Sequence, residues 1–236
     1  MSEKFAIGDE ILEILKGSLS IRAGEFAALD AGVGDPFRVL VATIISQNTN
    51  ERNTYLALDR LERVIGVDPP RLLSTGVEAI EKVIAVSGLQ GQKARAIHEA
   101  ARLVIERYNG DMKKLLELGE EKVRVELSSI RGIGDKTIDV LLAFSGFPVL
   151  PVDTHVKRVS RRLGLTNSSS YNGIKRDLHN VFRKEVRLLA HLLLIKLGRE
   201  ICKARAPLCS RCPLLSKCPS ASLEQKTNVP TREGGE

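Results

Sequence analysis

The chain has 236 residues, 43% of them hydrophobic and 28% charged, with a formal net charge of +7. That length buries a sizeable core in one large domain or two small ones, and the composition is ordinary for a soluble globular protein. No run of about 18 apolar residues is present, which excludes a membrane-spanning helix. The opening stretch, MSEKFAIGDEILEILKG, lacks the apolar centre and small-residue cleavage site of a secretory signal, so the protein is expected not to be secreted. Nine aromatic residues and no Trp argue against extensive stacking of bases on aromatic platforms.

The pattern is helical almost throughout. Apolar residues recur at three- and four-residue steps over 4–16, 37–46, 54–65, 77–86, 93–107, 121–130, 136–144, 155–164, 173–182 and 186–201. Asp35-Pro36 opens one helix, Asp68-Pro69-Pro70 punctuates another and Asn109-Gly110 ends a third. No alternating strand pattern appears, so the expectation is a compact all-α protein. Residues 17–35 are rich in Gly and Ala and read as a link between an N-terminal helix and the main body. Residues 219–236 have no apolar period and read as a disordered tail.

Positive charge is concentrated. Between His155 and Arg205 there are 13 Lys or Arg and 3 Asp or Glu, so the rest of the chain is net acidic. One part of the surface can face a polyanion while the rest does not, although a solvated helical face reads the same way.

Three motifs carry chemistry. The first is Leu127-Ser-Ser-Ile130-Arg-Gly132-Ile133-Gly134-Asp-Lys136-Thr137. Two helical patterns flank a turn whose glycines, Gly132 and Gly134, permit positive φ and close backbone approach. Amides at the start of the second helix suit a phosphate. This is the form of a helix–hairpin–helix, which grips the DNA backbone without reading sequence; an ordinary helix corner is the plain alternative. Lys136 falls in the first turn of the second helix, where the helix dipole disfavours a cation. The second motif is Gly146-Phe-Pro148-Val-Leu-Pro151-Val-Asp153-Thr154-His155. Gly and two prolines stiffen the loop, and Asp153 or Thr154 is also an obvious helix cap. The third is the set of four cysteines, Cys202, Cys209, Cys212 and Cys218, spaced C-x6-C-x2-C-x5-C. In a chain without a secretory signal, four thiolates point to a metal rather than to disulfides. Spacing alone leaves zinc and an iron–sulfur cluster open. A metal here would be structural, and would hold Lys203 and Arg205 of the intervening KARAPL loop outward toward DNA phosphates.

In this order, and in register from about Pro36 to Cys218, the hairpin IRGIGDKT, the VDTHVKRV stretch and the cysteine tail resemble the endonuclease III family of helix–hairpin–helix DNA glycosylases. The resemblance implies a structural [4Fe–4S] cluster on Cys202, Cys209, Cys212 and Cys218. It places Lys136 as the Schiff-base nucleophile, Asp153 as the catalytic aspartate, and the Gly132–Gly134 turn on phosphate. Two loops, Ser46-Gln47-Asn48-Thr49 and Gly88-Leu89-Gln90-Gly91, would enter the duplex, with Leu89 as the wedge and Gln47 or Asn48 filling the vacated position. The implied fold is two helical domains with a DNA-binding cleft between them. Residues 36–147 would form a six-helix barrel, and 1–35 with 148–218 a discontinuous cluster domain. The implied activity is removal of oxidised pyrimidines from double-stranded DNA, with β-elimination at abasic sites. The enzyme would act as a monomer in the cytoplasm or nucleoid, or in a nucleus. Two departures stand out: the first loop reads SQNTN where bacterial members read nearer SAQAT, and the stretch from Lys136 to Asp153 is one residue shorter. A monofunctional mismatch or uracil glycosylase, and a zinc-held DNA-binding module without catalysis, are the competing readings.

Overall fold

A computed structural model describes residues 3–31 and 34–221. Among the described residues the regular structure is entirely helical. All ten segments with a clear apolar period are helices. The sequence pattern misses three short ones, Ala27–Ala31, Pro69–Thr75 and Met112–Glu117, because five to seven residues hold too few turns for a period to show.

The chain divides into two compact units, Arg22–Phe147, and Met1–Ile21 with Pro148–Glu236. The first contains α2 (Ala27–Ala31), α3 (Pro36–Ile45), α4 (Glu51–Val64), α5 (Pro69–Thr75), α6 (Val77–Val83), α7 (Gln90–Tyr108), α8 (Met112–Glu117), α9 (Glu120–Ser128) and α10 (Asp135–Phe144). Helix α3 is apolar apart from Arg38 near its start and Thr43, and eight of its ten residues are buried; a helix with so little polar surface belongs in the middle of a core. It packs against α2, α4, α7, α8 and α10. Asp35 caps it, accepting from the amides of Phe37 and Arg38 at 3.0 and 3.2 Å. By contrast α4 buries a single stripe, Thr54, Ala57, Leu58 and Leu61. Helix α7 buries small residues, Ala94, Ala96, Ala100 and Ala101, which let α5 and α6 approach closely. It ends on left-handed Asn109, where the Gly110 amide reaches back to the Val104 carbonyl at 3.0 Å.

Of residues 22–35, the described ones, 22–31 and 34–35, belong with this unit rather than with the discontinuous one. Phe26 and Ala27 are buried, the Ala27 amide donates to Glu51 at 2.5 Å, and the Tyr55 hydroxyl bonds Asp30. The Gly/Ala composition that suggests a link hides this anchoring.

The second unit contains α1 (Glu3–Ser18), α11 (Thr154–Arg162), α12 (Tyr171–Val181) and α13 (Arg187–Glu200). Helix α1 lies on α12 and α13. At Gly8 a Cβ would fall 2.0 Å from the Val181 carbonyl oxygen, so a glycine sets that approach. After α13 come two single-turn 3-10 segments, Cys209–Arg211 and Leu215–Lys217. Of the stretch expected to be a disordered tail, Pro219–Ala221 is ordered enough to bury Ala221. The remainder, 222–236, lies outside the described residues.

Candidate functional site

The hairpin joins α9 to α10 by short-range backbone bonds. The Ile130 amide donates to Leu127 and the Ile133 amide to Ile130, each at 3.1 Å. Ile130 and Ile133 are buried and fasten the turn to the core. Gly132 adopts φ +100, a region that side chains rarely enter. Gly134 does not use positive φ: it is extended, with φ −108 and ψ −179. Its role is different, because as the residue before α10 it provides no side-chain cap, and a Cβ there would meet nothing within 4 Å. The start of α10 is thus left to whatever anion approaches it. Lys136, half-buried, stands in that first turn.

The 46–49 loop is tied to the same hairpin. Gln47 Nε2 donates to the Gly132 carbonyl at 3.0 Å and to Thr137 Oγ1 at 3.1 Å. Asn48 beside it is exposed and left-handed, with φ 51. The two residues are therefore unequal: Gln47 braces the hairpin, and Asn48 is the one presented to solvent. Leu89 is also left-handed, with φ 51, and is 50% exposed. Half of this apolar side chain is thus displayed to solvent at the turn.

In the other unit, Asp153 caps α11, its Oδ1 accepting from the Val156 amide at 2.7 Å. The Pro-rich loop before it is plugged into the core by Val149, Leu150 and Val152. Its backbone polar groups are met by side chains. Arg187 donates to the Pro148 carbonyl at 2.6 Å, and also to those of His179 and Phe182. His179 Nε2 accepts from the Leu150 amide at 3.0 Å, and His191 Nδ1 lies 2.9 Å from the Pro151 carbonyl. The Val152 amide reaches the Tyr171 hydroxyl at 3.4 Å. Sequence reasoning misses these residues. The only signal for them is a polar side chain on an otherwise buried helical face.

The basic helix α11 is not simply a surface for a polyanion. Arg158 donates to the carbonyls of Cys202 and Gly198 at 2.9 and 2.8 Å. Arg162 donates to the carbonyls of Lys203 and Ala204 at 2.7 and 3.1 Å. Part of the charge excess in 155–205 is used inside the fold. One consequence is that Arg162 supports the 203–206 loop from beneath, while Lys203 and Arg205 are exposed.

Cys202, Cys209, Cys212 and Cys218 line one cavity of about 190 Å³, walled by Val159, Leu163, Leu197, Ile201 and Leu215. Desolvation by burial pushes the Cys212 thiol up to about 11, and the neighbouring thiols push the same way. Burial also pushes the Cys209 thiol up, and a cation placed among thiols favours their thiolate forms. Among the described residues no three Cys, His, Asp or Glu side chains converge as a single-ion site requires. The four cysteines share the lining of this cavity. Arg162 Nη1 donates to Cys202 Sγ at 3.4 Å, and Cys218 Sγ lies 3.4 Å from the Arg162 carbonyl.

Comparison with known proteins agrees with these features. Residues 41–184 match the HhH-GPD superfamily of base excision DNA repair proteins. Endonuclease III of Sulfolobus acidocaldarius is 36% identical over 178 residues, 74% of this chain and 78% of that protein. Endonuclease III of Synechocystis is 35% identical over 212 residues, 89% of this chain and 90% of that protein. A solved structure described as a non-covalent endonuclease III–DNA complex superposes with a TM-score of 0.76 at 29% identity, covering 93% of this chain and 97% of that one. A trapped endonuclease III–DNA covalent intermediate superposes with a TM-score of 0.73 at the same identity and coverage. A thermostable thymine-DNA glycosylase, 22% identical with a TM-score of 0.65, shares the fold. The chain therefore belongs to the endonuclease III family of the HhH-GPD superfamily, an enzyme family of DNA glycosylases that act in base excision repair.

Proposed function

We propose that the protein is a bifunctional glycosylase/AP lyase that removes oxidised pyrimidines from double-stranded DNA and then cuts the strand by β-elimination. The observation that carries this reading is Lys136, placed in the first turn beyond an uncapped hairpin suited to phosphate. A target base inside a duplex is out of reach, so the nucleotide is extruded. Leu89 wedges into the stack and Asn48, rather than Gln47, occupies the vacated position.

Lys136 Nζ, as the neutral amine, attacks C1′. The C1′–N bond breaks and the base departs with its electron pair, taking up a proton. The Asp153 carboxylate stabilises the positive charge that builds on the sugar. Loss of the amine proton and opening of the ring give a Schiff base between Lys136 and C1′. A proton then leaves C2′, the 3′-phosphate is expelled, and water releases the lysine. Hydrolysis of the Schiff base returns the enzyme without any change of oxidation state.

The four cysteines fit a [4Fe–4S] cluster better than a single zinc ion. All four line one cavity of about 190 Å³, and all four are free thiols available as thiolate ligands. When bound, the cluster is structural: it ties the 202–218 segment and fixes Lys203 and Arg205 as phosphate contacts. The protein acts as a monomer in whichever compartment holds the DNA.

Duplexes carrying one thymine glycol, one G·T mismatch or one uracil distinguish the readings, each assayed with and without hot alkali. Strand cutting at thymine glycol without alkali is the expected result. Cutting that needs alkali on every substrate would instead show a monofunctional glycosylase.

A further inference from the structure

Lys93 is among the largest fully buried side chains, with 2% of its surface exposed. It lies at the start of α7, in register with Ile97, Ala100 and Val104 on the buried face. Its Nζ donates to the carbonyls of Ile45 and Ser87, each at 2.8 Å. Ile45 is the last residue of α3, and Ser87 the last of the 3-10 turn Ala85–Ser87. Carbonyls at such ends have no partner within their own helix and carry its negative pole. Desolvation alone pushes Lys93 down to about 8, so it still carries its charge at neutral pH. An apolar residue of similar volume would fill this place without burying a charge. A core lysine here therefore calls for a reason beyond packing.

The reason lies in the two loops that begin at these carbonyls. Ile45 leads directly into Ser46-Gln47-Asn48-Thr49, and Ser87 into Gly88-Leu89-Gln90-Gly91. Each loop holds a non-glycine residue in the left-handed region, Asn48 and Leu89, both at φ 51. Such conformations persist only where the surroundings fix them. Resting on the reading that these two loops enter DNA, we propose that Lys93 is a positioning residue: its ammonium clamps the two loop bases together, so that Asn48 and Leu89 enter the duplex as one unit. The clamp acts on base extrusion and does not touch the reacting atoms.

The test uses the full chain and three single-turnover readouts. These are excision of thymine glycol, β-elimination at a preformed abasic site in the same duplex, and the fluorescence rise of a 2-aminopurine next to the lesion, which reports unstacking. Lys93→Met removes the ammonium and keeps the bulk. Excision and the fluorescence rise should both slow on the order of 10- to 100-fold, the usual effect of ångström-scale misplacement. Elimination at the abasic site, with no base to extrude, should slow much less. Lys93→Arg keeps a charged donor able to reach two carbonyls and should recover most of the loss. Equal slowing of excision and elimination with normal fluorescence would overturn the clamp and leave Lys93 a support of the fold. Unchanged excision in Lys93→Met would overturn it as well. If Lys93→Met does not fold, Lys93→Gln is read in the same three assays. A wild-type enzyme that unstacks the lesion yet cuts neither duplex overturns the lyase reading, and the fluorescence of the variants alone then decides the clamp.

Discussion

The hairpin carrying Lys136 and the loop carrying Asp153 are fixed by opposite means. The hairpin is made by backbone: amides of Ile130 and Ile133 bond carbonyls three residues back, and Gly132 supplies the one conformation a side chain would resist. The Asp153 loop has its polar groups met by distant side chains, Arg187, His179, His191 and Tyr171. A lysine thus sits on a locally encoded turn, and an aspartate on a turn that exists only once α12 and α13 have folded around it. The first leans on distant residues only through the Gln47 brace and the burial of Ile130 and Ile133. The second transmits damage from residues far along the sequence.

Replacing Arg187 tests that contrast most severely. Arg187→Met strips a buried charged donor from three carbonyls and should destabilise the protein by about 3–5 kcal/mol, measured by urea unfolding. A loss under about 1 kcal/mol would mean that the loop holds itself. Next in size is Asp153→Asn. Asparagine caps a helix about as well as aspartate, so stability should hardly move. The chemical step, with the charge removed, should slow about 100-fold in single-turnover excision. If stability falls while the rate holds, Asp153 is only a cap. In the hairpin, Gly132→Ala at φ +100 should lose roughly 1 kcal/mol or more. Gly134→Ala, with extended backbone and open space, should lose less than about 0.5 kcal/mol. Thermal melts of both variants compare them directly, and equal losses would contradict the distinct roles assigned to the two glycines.

The smallest effect concerns His155. Its pKa is lowered, first by desolvation, with Arg158 and Arg199 adding to the effect and Asp153 opposing it. The unfolded chain, near 6.5, therefore binds this proton more readily than the folded one. Stability from this residue is complete above about pH 6.5 and declines as pH falls below it. His155→Gln should flatten that part of the melting profile between about pH 7 and 5, and an unaltered slope would contradict the assignment.

Legibility in the sequence divides along the same line, between local and distant encoding. Helices α3 and α7 declare themselves by period and by Asp35 and Asn109 at their ends, and α4 by its period from 54 onward. Lys136, Asp153 and the cysteines stand in short motifs that can be read along the chain. Helix α2 reads as linker, because its burial depends on Glu51 and Tyr55 across the fold. The charge excess of 155–205 reads as surface. Whether an arginine faces water or a carbonyl is decided by the neighbouring segment, as it is for Arg158 and Arg162. Lys93 is visible as a lysine on an apolar stripe, but its two acceptors lie 48 and 6 residues away.

Borohydride trapping tests the central claim most directly. Wild type and Lys136→Gln are each incubated with a duplex carrying a single thymine glycol and reduced in place. A covalent protein–DNA adduct with wild type and none with the variant is the predicted result. An adduct of equal yield with Lys136→Gln, or none with wild type on either thymine glycol or a plain abasic site, would contradict Lys136 as the nucleophile.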